Sequence, residues 1–193
     1  MSDPDPAARL GHNGGPTMEP GAAWRKHCWA QAREALLPHL PIEVLRGRLR
    51  RAAELGLDYR SYAGIRAATG HDVVAVLFSS NALRAHPVPQ GDRLAKLSRM
   101  TGAARIGLAV RPLAAPALLQ ASGDALDAGF PAPGHLARWS ETRAALRLAL
   151  GRTPGDRAIL IGAHALEADW CAAGGLAGSL PDSRFFAEVR LPA

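Results

Sequence analysis

The chain has 193 residues, 48% of them apolar and only 5% aromatic, with a formal net charge of +6. That apolar content excludes global disorder and fits one domain of ordinary size, or one domain plus a helical extension, with a core of Ala, Leu, Val and Ile. The basic excess is spread rather than concentrated. Residues 1–70 carry ten basic and seven acidic side chains and residues 71–193 carry thirteen and ten, so neither half is marked as a nucleic-acid face.

Residues 1–22 hold four prolines, four glycines and few large apolar residues, and read as a flexible tail. Within it Leu10-Gly-His-Asn-Gly-Gly-Pro16 resembles a short N-terminal peptide of many bacterial proteins, and implies no fold or activity. The start is acidic and Pro-rich and no apolar run reaches 18 residues, which argues against a Sec-type signal peptide and a membrane span. A cytoplasmic protein is the expectation. Cys28 and Cys171 lie far apart with no CxxC or Cys/His ligand spacing, and read as reduced thiols.

A helix is predicted from Trp24 to Leu37, stopped by Pro38-His-Leu-Pro41. A second runs from after Pro41 to about Leu55, with Ile42, Leu45, Leu49, Ala52 and Ala53 in one stripe and Gly56 as its stop. Asp58 suits the N-cap of a third, Tyr59 to Ala68, which ends at Gly70 and uses Tyr62 and Ile65 on its apolar face. Residues 23–70 thus form an N-terminal helical subdomain, followed by an α/β domain over 71–193.

After Gly70 the pattern changes to near-continuous apolar runs, the signature of strands buried on both faces. The runs are Asp72 to Phe78, Ala104 to Val110 and Arg157 to Ile161. Helices are expected between and after them, within Asp92 to Met100, Leu113 to Leu126, Trp139 to Leu150 and Ala165 to Ala173. Residues Phe130 to Gly134 read as a loop, and Phe185 to Leu191 as a final edge strand. The alternation predicts a small three-layer, Rossmann-like or flavodoxin-like α/β fold with a parallel sheet of three or four strands.

In such sheets ligands collect beyond the carboxyl ends of the strands. The candidate ligand-binding residues are therefore Ser79, Ser80 and Asn81 after the first strand, Arg111 after the second and His164 after the third. The Ser-Ser-Asn turn can cradle an anion, or simply cap a helix over Ala82-Leu-Arg84. Arg111 offers a planar fork to a carboxylate or phosphate. His164 is the candidate titrating side chain, because histidine as a residue type changes charge near neutral pH, and Glu167 stands one helical turn on. No Walker sequence or GxGxxG follows these strands, and no G-x-S-x-G elbow supports a Ser79 or Ser80 nucleophile with His164 and Asp124, Asp127 or Glu141. Histidine spacing offers no metal site, no cofactor is implied, and no residue is assigned a catalytic role.

A second candidate is the helix pair at 42–69. Ala52, Leu55, Gly56, Leu57 and Ile65 partly match the helix-turn-helix pattern, and Arg46, Arg48, Arg50, Arg51, Arg60 and Arg66 are available for DNA phosphates. Three readings follow. The first is an accessory or regulatory protein that binds a small anionic ligand or a protein partner at the strand ends. The second is a DNA-binding regulator, and the third a transferase-type enzyme acting on an anionic substrate.

Overall fold

The apolar runs become a five-stranded, wholly parallel sheet. The computed structural model describes residues 40–187 apart from 87 and 135. The tail at 1–22, the helix expected over Trp24 to Leu37 and Cys28 lie outside those residues. In chain order the elements are α1 (Ile42–Glu54), α2 (Tyr59–Thr69), β1 (Ala75–Ser79), α3 (Gly91–Ser98) and β2 (Ala104–Ala109). These are followed by α4 (Ala115–Ser122), β3 (Ala128–Pro131), α5 (Trp139–Leu150), β4 (Ala158–Gly162), α6 (Ala165–Gly174), β5 (Gly178–Pro181) and the short α7 (Asp182–Phe185). They belong to one unit of the chain, Ile42–Ala193.

The strand order is β3-β2-β1-β4-β5, with every neighbouring pair parallel. From β1 the chain winds outward to β3, then crosses back to β4 and continues to β5. Right-handed crossovers require the helices to change face at that reversal, and they do. Leu97 of α3 and Leu118 of α4 pack on one face with Val76, Phe78, Ile159 and Ile161. Leu146 of α5 and Trp170 of α6 pack on the other with Ala75, Leu77, Leu108 and Leu160. All five residues of β1 are buried, as expected of a central strand covered on both sides. The order is that of the Rossmann sheet, without its sixth strand.

Two more strands form than the apolar runs identify. Ala128-Gly-Phe-Pro131 and Gly178-Ser-Leu-Pro181 are the two edges, four residues each and only partly buried. Their Gly and Pro content runs against strand propensity, and they exist because a neighbour's ladder recruits them. Phe130 and Pro131 therefore belong to β3 rather than to a loop. Phe185 closes α7 instead of opening a strand, and residues 188–191 of that expected strand lie outside the described residues. No helix forms over Ala82-Leu-Arg84; a turn stands there.

Helices α1 and α2 cover the β4–β5 side of the first face: Ala52, Leu55, Leu57 and Tyr62 join its core and Ile65 packs against it. Gly56, at φ +66°, ends α1 in a Schellman turn in which the Leu57 and Gly56 N–H groups donate to the Ala52 and Ala53 carbonyls. Asp58 caps α2 through the Ser61 N–H at 2.9 Å. The α1 stripe is shorter than its sequence implies, because Ile42 and Leu49 are exposed and the helix meets the core only at its C-terminal end. Trp139 is likewise exposed, since α5 packs from Thr142 onward.

Arg51 ties these layers together. Its guanidinium donates to Asp72 (2.8 Å), Glu54 (3.0 Å) and the carbonyls of Val73 and Gly102 (2.9 Å each). Asp72 also accepts from the Tyr62 hydroxyl at 2.9 Å. One side chain thus joins α1, α2 and the entries to β1 and β2. At the same end of the sheet Arg105 holds Asp127 through two guanidinium contacts (2.5 and 3.2 Å) and a backbone N–H at 2.7 Å.

Arg51→Ala leaves the partly buried Asp72 without its cation. It should lower the unfolding free energy by about 2–3 kcal/mol, measured by urea denaturation. The Arg105 hydrogen bond holds the Asp127 carboxyl below its usual range. The resulting stability is complete above the ordinary carboxylate pKa, about 3.9, and is lost as pH falls through the lower folded value. Thermal melts should therefore fall more steeply from pH 5 to pH 3 in the natural chain than in Asp127→Asn.

Candidate functional site

The sheet reverses its winding between β1 and β4, so the crevice above their carboxyl ends is the expected ligand position. From β1 it receives Ser79, then Ser80 and Asn81; from β4 it receives Gly162, Ala163 and His164. His164 occupies the N-cap of α6, and its carbonyl accepts the Glu167 N–H at 3.0 Å.

That crevice is filled by the chain itself. Glu167, wholly buried in the first turn of α6, turns into it. One carboxylate oxygen accepts from the Ser79 hydroxyl at 2.8 Å and the Ala163 N–H at 2.7 Å, and the other accepts from the Asn81 amide at 2.8 Å. Three donors around an acceptor-only group suit an ionised carboxylate, and the α6 N-terminus adds a favourable field. Gly162 makes the approach possible: a Cβ there would stand 2.9 Å from a Glu167 oxygen.

The Ser-Ser-Asn turn is thus occupied internally. The Ser79 oxygen also accepts the Ala82 N–H at 3.0 Å, which shapes the turn that replaces the expected helix. The Ser80 oxygen accepts the Val110 N–H at 3.0 Å and joins the ends of β1 and β2. Both serines are buried and Asn81 is half-buried. Arg111 and His164 are exposed, and neither side chain has a hydrogen-bond or ion-pair partner among the described residues. Glu167 therefore does not pair with His164, as their spacing suggested, but turns into the crevice onto Ser79, Asn81 and Ala163. Asp127, one of the acids considered for a serine–histidine relay, is committed to Arg105. Among the described residues no three His, Cys, Asp or Glu side chains cluster to hold a metal ion.

Donors that would meet an anion in the crevice already hold a carboxylate, whose own charge repels another. Open space lies instead on the flank of the first face. A cleft of about 860 Å³ runs beside α3, with Gly56, Met100 and Phe186 among its apolar lining. Arg84, Arg93, Lys96 and Arg99 supply four cations against one described acid, Asp92. Arg84 and Arg99 are exposed, while Arg93 is buried and Lys96 half-buried. Burial pulls the Lys96 ammonium below its usual pKa, partly offset by Asp58. Arg84 is also the one non-glycine residue with positive φ (+52°) among the described residues, a left-handed conformation that costs a side-chain-bearing residue about 1–2 kcal/mol. A smaller cleft of about 230 Å³ on the other side of Lys96 is lined by Leu57, Asp58, Leu180 and Arg184. No sequence motif marks either cleft; the basic lining of the larger one comes from the loop after β1 and the successive turns of α3.

In the helix pair at 42–69, Arg51 is consumed by the network described above and Arg46 pairs with Glu43 at 2.7 Å. Arg48 and Arg66 are half-buried, and Arg50 and Arg60 exposed. No helix among the described residues is long and apolar enough to cross a membrane. Cys171 is a half-buried free thiol whose pKa burial raises. No family model, curated protein or solved structure matches the chain.

Glu167→Gln replaces one acceptor oxygen by a donor facing donors, and should cost about 2–3 kcal/mol of unfolding free energy. Gly162→Ala should destabilise in the same direction by displacing the carboxylate. Chemical denaturation measures both, and a Glu167→Gln midpoint equal to that of the natural chain would contradict the lock.

Proposed function

We propose that this is a cytoplasmic accessory or regulatory protein that binds a small anionic ligand in the basic cleft beside α3. The reading rests on one observation: the strand-end crevice holds the chain's own Glu167 carboxylate, while the cleft presents four cations and one acid around an open volume. That volume falls in the range of small-molecule sites. Strain at Arg84 supports it too, because unfavourable backbone conformations concentrate where a side chain must be aimed at a ligand.

A transferase activity has less support, since the buried serines at the strand ends are engaged internally and the His164 side chain has no acid partner among the described residues. DNA binding through 42–69 is weakened by the structural use of Arg51. A protein partner on the strand-end surface is compatible with exposed Arg111 and His164, but nothing there favours it over the cleft.

Inorganic tripolyphosphate is a suitable probe. At low salt it should raise the melting temperature and give a calorimetric binding isotherm, and both effects should shrink at 300 mM salt. Replacing Arg84 and Arg99 together by Ala removes two exposed charge contacts and should weaken binding about tenfold. Arg84→Gly should weaken binding while leaving stability unchanged or slightly raised, because the strain is relieved. Absence of any heat or thermal shift at low salt would end the reading.

A further inference from the structure

The cations that line the cleft have a second occupation. Arg93, on the first turns of α3, donates to Asp182 at 2.7 Å and to the Ala82 carbonyl, and its guanidinium lies 4.4 Å over the Phe186 ring. Lys96, one turn on, donates to the Phe185 carbonyl and sits 4.5 Å over the Phe185 ring. Phe185 is buried edge-to-face against Phe78 of β1 at 5.5 Å, and Phe186 stands edge-to-face on Phe185 at 4.9 Å. The α7 segment, 182–186, is therefore held by two cations that also face the cleft.

We propose that a ligand anion in the cleft and the Asp182 carboxylate compete for Arg93, so that occupancy of the cleft loosens the segment 182–186. This rests on the reading of the cleft as the ligand site. An anion that first meets the exposed Arg84 and Arg99 gains most by also engaging Arg93 and Lys96, the less solvated pair. An anion that draws either head group toward the exposed pair weakens its hold on Asp182 or on the Phe185 carbonyl. Coupling between two binding events is reciprocal: what loosens the segment when ligand binds must also tighten ligand binding when the segment's hold is weakened. The site thus carries its own readout, a change in the packing of Phe185 and Phe186 beside β1.

The test uses the full chain and tripolyphosphate. The Phe186 N–H donates to the Asp182 carbonyl at 2.8 Å, so its hydrogen exchange reports the segment. Saturating probe should speed exchange over 183–186 several-fold in the natural chain, with no matching change in α5. Calorimetry on Asp182→Asn should show binding at least threefold tighter. If probe binds but exchange over 183–186 is unchanged or slower, and Asp182→Asn binds no tighter, the competition is wrong and the cleft reading survives. If neither protein binds the probe at low salt, both fall. The exchange measurement needs no variant, so it decides the matter even where Asp182→Asn is poorly folded.

Discussion

A carboxylate with no cation partner among the described residues sits wholly buried above the carboxyl ends of β1 and β4, and much of the local architecture follows from satisfying it. Moving such a charge out of water is costly unless its lone pairs find donors. Glu167 finds three: a hydroxyl from β1, an amide from the turn after β1 and a backbone N–H from the turn after β4. The arrangement stitches together the two strands at which the sheet reverses its winding, a place where hydrogen-bonded ladders alone leave strand-end groups open. It explains why β1 ends in serine and why β4 ends in a residue without a side chain. It also fills the usual ligand position of this architecture, which leaves the flank as the open ground for a small molecule.

Arginine does in this chain what few other side chains can. There are 21 arginines and two lysines. Several of those arginines are spent internally. Arg51 reaches four acceptors on three segments, Arg93 reaches a carboxylate, a carbonyl and an aromatic face, and Arg105 clamps Asp127. A planar fork with five donors can bridge segments that a point charge cannot. These arginines therefore act as cross-links within a fold poor in aromatic residues rather than as free surface charge.

The centre of the fold is legible in the sequence and its periphery is obscure, for a physical reason. β1, β2 and β4 announce themselves because burial on both faces demands near-continuous apolar runs, and α5 is legible because its apolar positions from Thr142 on keep helical spacing. The edges carry no such demand. Ala128-Gly-Phe-Pro131 and Gly178-Ser-Leu-Pro181 are defined by pairing rather than by propensity, so their composition carries no strand signal. The same holds at the site. The turn after β1 is findable, and Ser79, Asn81 and the β4 end do converge. That they converge on Glu167 depends on a side chain turning inward, which helical spacing from His164 does not reveal. The basic cleft gathers Arg84 with three side chains of α3 and its C-terminal flank, a grouping that only the folded loop creates.

The two obscure edge strands have a consequence for how this molecule meets others. An open sheet offers unpaired N–H and C=O groups along both borders, an invitation to extend the ladder with another chain. Here each border is four residues long, ends in proline and is only partly buried. Edges this short are poor templates for another strand. Short edges that end in proline disfavour growth of the sheet from one copy to the next.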